Sequence, residues 1–315
     1  MKIITVRLSL IAGLLLSSRG VSQAQSSSDG GVCSTTANVA QTACDHDVAD
    51  SYWIAVGRCL NTSDSAKRES CLAEARDTRT EDRDLCSEQF DARDDLCDAL
   101  GEAPYDPPFE RGDFVNPLEI GKSINPNRFF PLVPGSQWVY RSPSETVTVD
   151  VLGKVELIEG VPCTVVHDVV KHNGRTIEDT LDWFAQNIDG SVWYCGEQSE
   201  ELEKGRVVDV GGSWRAGDEE ARPGIVMQAM PHVGVTYRQE FALGEAEDAA
   251  TIRSIRGSAT VPAASCTRSC LVTREFTPLE PDAREDKYYA PDIGMILSVD
   301  RENGERLELI RYRIP

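Results

Sequence analysis

Two patterns of apolar and polar positions divide the chain. From Cys33 to Leu100 apolar residues are sparse, Ala, Asp, Glu and Arg dominate, and no Gly or Pro occurs from Cys71 to Leu100. That composition predicts helix. After Trp138 the pattern changes to period two. Residues 145–151 (ETVTVDV) alternate, and 160–171 are Val-rich and β-branched, the signature of strands. Further strand windows fall at 206–210, 225–230, 235–241, 251–255, 258–262, 271–276, 287–289, 295–301 and 306–314. Asn173-Gly174, Asp189-Gly190 and Asn303-Gly304 are two-residue hairpin signals, because both central positions of a type I′ turn need positive φ. Many short strands joined by tight turns make an antiparallel meander. The predicted class is therefore α+β: a helical hairpin over 33–101, then a mainly antiparallel β domain over 135–315, either a curved meander sheet or a barrel.

The hairpin follows from cysteine spacing. Cys33, Cys44 and Cys59 are separated by 11 and 15 residues, and Cys71, Cys86 and Cys97 by 15 and 11. At about 100° per residue these steps turn a helix face by only about 20° and 60°, so each half carries its cysteines on one stripe. The positions of Cys33 and Cys97, of Cys44 and Cys86, and of Cys59 and Cys71 each sum to 130. A constant sum is what antiparallel pairing requires, and six cysteines allow about 15 connectivities of which this nested one fits. The turn falls at Asn61-Thr62-Ser63-Asp64, good turn and cap residues. No CxxC spacing supports a zinc cluster instead. Disulfides supply what a two-helix unit lacks in core.

Residues 1–24 read as a secretory signal: Lys2 and Arg7, an apolar run from Leu8 to Leu16, and Ser22-Gln23-Ala24 at the cleavage region. The run is too short to span a bilayer as a helix, which needs roughly 20 residues. Residues 25–32 form a flexible lead. No membrane insertion is expected after cleavage, and a secreted or periplasmic location suits ten cysteines. The net charge of −20 becomes −23 once Lys2, Arg7 and Arg19 are removed, which excludes nucleic acid as a partner. Residues 102–134 hold seven prolines and form an extended connector, with Phe109, Phe114, Phe129 and Phe130 needing burial against the second domain. The Arg111-Gly112-Asp113 triplet in it matches integrin-type motifs only at chance level.

Phe130-Pro131-Leu132-Val133-Pro134-Gly135-Ser136-Gln137-Trp138-Val139-Tyr140 resembles the FPLxPGxxWxY opening of β domains in many exported bacterial proteins. The segments VWYCGE, GSWRAG, YRQEF, GEAED and KYYAPDIGMI are similar to the rest of that group, and the resemblance covers about 102–315. The group is uncharacterised. It implies an exported β domain and supplies no catalytic residue.

Candidate chemistry can be placed by writing the hairpin register. With two-residue loops at Asn173-Gly174 and Asp189-Gly190, one face carries Val166, Val170, Ile177, Leu181, Trp183, Ala185, Val192 and Tyr194. The opposite face carries His167, Thr180, Val165, Asp182 and Glu197, with Cys163, Phe184 and Cys195 in the next row. His167, Asp182 and Glu197 would then suit a divalent metal or acid–base work; on a solvated face they would be ordinary. The same register sets Cys163 and Cys195 about 9.6 Å apart, beyond the reach of a disulfide at about 7 Å, whereas Cys266 and Cys270 would bond across a three-residue loop. Met227, Met230 and His232 are soft ligands of the kind copper takes, and equally a core strand followed by a turn. Glu245, Glu247 and Asp248 lack the EF-hand pattern and read as a solvated acidic turn. Arg238 and Glu240 share a strand face and suggest an ion pair.

No GxSxG, P-loop, GxGxxG or HExxH motif occurs, and no cofactor is expected, a divalent metal being the one considered. The reading is an exported, non-enzymatic binding protein for an unidentified ligand or protein, its β domain holding a small or apolar ligand. The rivals are a metal-dependent enzyme using His167, Asp182 and Glu197, and an extracellular structural component.

Overall fold

A computed structural model describes residues 31–315; the signal-sequence expectation for 1–24 lies outside the described residues. Two long helices open it, α1 (Val32–Leu60) and α2 (Ser65–Leu100). Asp64 caps α2 by accepting from the Lys67 backbone N–H at 2.9 Å. The ladder is as the spacing predicts: Cys33–Cys97, Cys44–Cys86 and Cys59–Cys71, with Cα atoms 5.6, 5.8 and 5.5 Å apart. Few apolar side chains are buried along the hairpin besides the cysteines, chiefly Ala37, Val48, Ala75 and Leu96. The bonds do the joining that a core does elsewhere.

The rest is one antiparallel sheet of 15 strands. Its strands are β1 (Gln137–Arg141), β2 (Glu145–Ile158), β3 (Val161–His172), β4 (Arg175–Gln186), β5 (Val192–Glu203), β6 (Arg206–Asp209), β7 (Trp214–Arg215), β8 (Arg222–Met227), β9 (Thr236–Arg238), β10 (Glu240–Phe241), β11 (Ala249–Val261), β12 (Ala264–Thr277), β13 (Glu280–Ala290), β14 (Gly294–Asp300) and β15 (Arg306–Arg313). The order is β10-β8-β5-β4-β3-β2-β1-β15-β14-β13-β12-β11-β9, with β6 and β7 beside β5. The first and last strands, β1 and β15, thus meet mid-sheet. The two ends of the path, β9 and β10, are separated in the chain only by Gln239. The sheet curls until its edges are consecutive, yet the ladder is not a closed barrel.

The FPLVPGSQWVY stretch pins this curl. The Trp138 Nε1–H donates to the Ile293 carbonyl at 2.7 Å and the Tyr140 hydroxyl to that of Met295 at 3.1 Å, tying β1 to the APDIGM turn. Gly294 sits there at φ 100°, and a Cβ on it would lie 3.4 Å from Pro131 Cδ, so both backbone conformation and close approach favour glycine.

Three local departures from the predicted register matter. At the Asn173-Gly174 turn both residues have positive φ (50° and 77°), and the two-residue loop pairs His172 with Arg175. A bulge at Val170/Lys171 then shifts the ladder, so that Val166 faces Asp182 and His167 faces Leu181. A second bulge, at Trp183/Phe184, lets β5 pass Cys195 without a partner, while Asp182 still faces Glu197. A one-residue slip moves a whole strand face from one side to the other. The predicted core face is therefore split: Val166 and Val170 point inward together with Thr180, Asp182 and Phe184, and Leu181 and Trp183 lie on the outer side. Cys266 and Cys270 are bonded, with Cα atoms 5.6 Å apart, but they lie on the single strand β12 and pinch out a bulge rather than closing a hairpin.

Candidate functional site: an acidic chamber inside the sheet

Cross-strand rows define the inner face. The outermost row is Val147, Val170, Glu178 and Glu201; next come Val149, Asp168, Thr180 and Ser199; then Val151, Val166, Asp182 and Glu197. From the other half, Glu275, Glu285 and Asp300 form one row, and Thr273, Lys287, Ser298 and Leu307 the next. Carboxylates thus face inward from both halves of the curl.

At the mouth they enclose a cavity of about 450 Å³. Glu145, Glu178, Glu201, Glu203, Glu285, Asp300 and Glu305 line it, with Val147, Val170, Ile177, Leu202, Val208 and Leu307 as its apolar wall. No Lys, Arg or His is in that lining.

Deeper, the groups differ in how well they are served. Glu275 accepts from Lys287 Nζ at 2.5 Å, from the Tyr289 hydroxyl and from the Thr273 hydroxyl, both at 2.9 Å. Burial pushes its carboxyl up, but these donors and the ammonium charge hold it below the usual range. Lys287 is shared with Glu285 at 3.6 Å. Burial pushes Glu285 up to about 7, with Lys287 opposing and Glu275 and Asp300 reinforcing. Asp182 and Glu197, facing each other, share the Tyr194 hydroxyl at 2.6 and 3.1 Å. Trp214 Nε1 donates to Glu240 at 2.8 Å. Asp168 is 4 % exposed, and its Oδ1 has no hydrogen-bond partner. Burial, then the Asp182 charge, pushes Asp168 well above the usual carboxylate range. An unmade hydrogen bond on a buried carboxyl costs about 1–3 kcal/mol, so Asp168 is held at a price that a bound donor would offset.

The residues singled out from the sequence separate here. Asp182 and Glu197 meet inside, because the bulge at Val170 brings them to the face of Val166, while His167 stays on the outer face as the sequence placed it, its Nε2 2.7 Å from Asp179 Oδ1. Met227 is fully buried, Met230 is 76 % exposed, and His232 Nδ1 contacts the Met230 carbonyl at 2.8 Å; β8 ends at Met227, so the three do not converge. Among the described residues no group of three His, Cys, Asp or Glu side chains is arranged to hold a metal ion. Glu247 is not part of a solvated turn: it is 1 % exposed and takes a bidentate bond from Arg93 of α2. Arg238 stacks over Phe241 and Tyr105, with ring centroids at 4.5 and 5.6 Å, whereas Glu240 faces Trp214. Cys163 and Cys195 are buried thiols whose Sγ atoms lie 2.6 Å apart. They are not bonded to each other, and Cys195 lies at the bulge opposite Trp183 and Phe184. Glu178, Glu201, Glu285 and Asp168 were missed; the polar alternation Glu178-Thr180-Asp182 along β4 and Glu197-Ser199-Glu201 along β5 was the signal for the first two, masked by the assumption that the apolar face points in.

No protein-family model matches the chain, and no curated protein or solved structure matches it. Among the described residues no helix is long and apolar enough to cross a membrane.

Proposed function

We propose that this is an exported binding protein whose curled sheet takes up an organic cation with an apolar portion. The observation that carries this reading is the lining of the 450 Å³ cavity: seven carboxylates and an apolar wall, with no basic side chain. The sequence suggested an apolar ligand; the lining favours one that also carries positive charge, since an ammonium group supplies both counter-charge and N–H donors. The volume falls within the usual range for small-molecule sites, about 300–1,000 Å³. The mixed wall favours an organic ammonium over a bare divalent ion, which takes six or more oxygens. Four disulfides support an oxidising compartment.

The test is calorimetric titration of the purified protein with hexylamine, with hexanol as neutral control. Hexylamine is expected to bind one to one, and the double variant Glu178→Gln/Glu201→Gln to bind it at least about tenfold more weakly, about 1.4 kcal/mol. Equal binding of hexanol, or an unchanged variant, would contradict the proposal, and stoichiometric metal in elemental analysis would replace it with the metal-dependent reading.

A further inference from the structure

Where the helical hairpin meets the β domain, a crevice of about 770 Å³ opens between α1, α2, the 101–107 segment and strands β8 to β10. Unlike the chamber's, its lining includes arginines: Arg93, Arg222 and Arg238 beside Asp106, Glu219, Glu220 and Glu247. Arg93 from α2 and Arg238 from β9 both line it, 6 % and 7 % exposed. They have Glu247 as their buried carboxylate. Arg93 spends Nε and Nη2 on it, at 2.9 and 2.7 Å, and Glu247 also draws on Arg238 electrostatically. The Nη1 atoms of both arginines have no hydrogen-bond partner. Asp106, Glu219 and Glu220 stand at the rim, where Asp106 and Glu220 bind Arg222 and are 72 % and 89 % exposed. The depth of the crevice is therefore left with two guanidinium groups on one carboxylate.

Burying a net charge is costly unless a partner is supplied. In a chain with 52 acidic residues against 32 basic, a second carboxylate would have been easy to place. Stacking fixes the geometry instead: Phe241 and Tyr105 cover the face of the Arg238 guanidinium, leaving its N–H edge for hydrogen bonding. Trp193, Tyr237 and Leu243 extend the wall. We infer that this crevice is a second binding site, for a small organic carboxylate with an aromatic or apolar body, whose charge is drawn by the Arg93 and Arg238 guanidinium groups that line its depth. A guanidinium edge matches a carboxylate in shape, and the aromatic wall matches the body.

The experiment uses the full mature chain and three probes of one shape: benzoate, benzyl alcohol and benzylamine. Benzoate is expected to raise the melting temperature in a saturable, salt-dependent way, benzyl alcohol at the same concentration to leave it unchanged, and Arg238→Gln to weaken benzoate binding at least about tenfold. Arg238→Gln should leave hexylamine binding in the chamber unaffected, which keeps the two sites distinguishable. No benzoate-dependent shift at millimolar concentration, an equal shift with benzyl alcohol, or unaltered benzoate affinity in Arg238→Gln would overturn the inference. Should Arg238→Gln fail to fold, the wild-type comparison of benzoate with benzyl alcohol and benzylamine still decides it.

Discussion

Glu285 is the residue through which pH reaches the chamber. Its folded carboxyl titrates near 7 against an ordinary value of 4.5, so the folded state holds a proton that the unfolded chain has released between those values. Stability from this group is fully present below about 4.5 and is lost as pH rises through 7, by at most about 3 kcal/mol. Asp168, pushed in the same direction, adds to the trend. The melting temperature of the ligand-free protein is expected to fall between pH 5 and pH 8, and Glu285→Gln to flatten that fall; a profile that rises with pH would contradict the assignment. Cation uptake should follow the opposite course and tighten as Glu285 ionises. The thiols of Cys163 and Cys195 make a separate prediction. With Sγ atoms 2.6 Å apart, a disulfide oxidant needs only to take up two protons and two electrons to join them. Thiol counting on unfolded, unreduced protein is expected to find none free; finding two would show that the strand between them holds them apart.

At the scale of elements, α1 and α2 bury little apolar surface, so their association rests on the bonds. Loops closed by 64, 42 and 12 residues correspond to about 3–4 kcal/mol each taken alone. Nesting makes the sum smaller, because an inner bond shortens the loop that the next one closes. Cys44→Ser/Cys86→Ser is expected to lower hairpin stability by about 2–4 kcal/mol, read as faster amide exchange in mid-helix, with β-domain amides unchanged. Exchange unaltered in α1 and α2 would mean that packing, not the ladder, joins them. This element was legible in the sequence because cysteine positions carry their own geometry, and because Asp64 is a cap that announces itself. The sheet was legible in its turns and less so in its register. Asn173-Gly174 forms the predicted loop, yet the bulge at Val170/Lys171 has no residue signature and turns Asp182 inward, away from the face of His167. Asp182 and Glu197 stay paired because the second bulge falls beyond them, at Trp183/Phe184. The chamber was hidden for a related reason: polar positions such as Glu178, Thr180 and Asp182 along β4, or Glu197, Ser199 and Glu201 along β5, read as an outer face until the sheet is seen to curl around them.

For the whole molecule, the curl brings carboxylates from both halves of the sheet to one mouth, while the hairpin docks through Arg93 on Glu247 and Gln89 on the Leu279 carbonyl at 2.9 Å. The turn at 61–64 then lies about 35 Å along α2 from Gln89, at about 1.5 Å per residue, so the hairpin reaches well away from the sheet it caps. The most direct measurement is a crystal structure of the protein with 6-bromohexylamine, located by bromine anomalous scattering. The account predicts the bromine against the apolar wall near Val147, Val170 and Leu307, with the ammonium among Glu178, Glu201 and Glu285. Bromine bound only in the crevice or on the outer surface, or none bound at all, would contradict it.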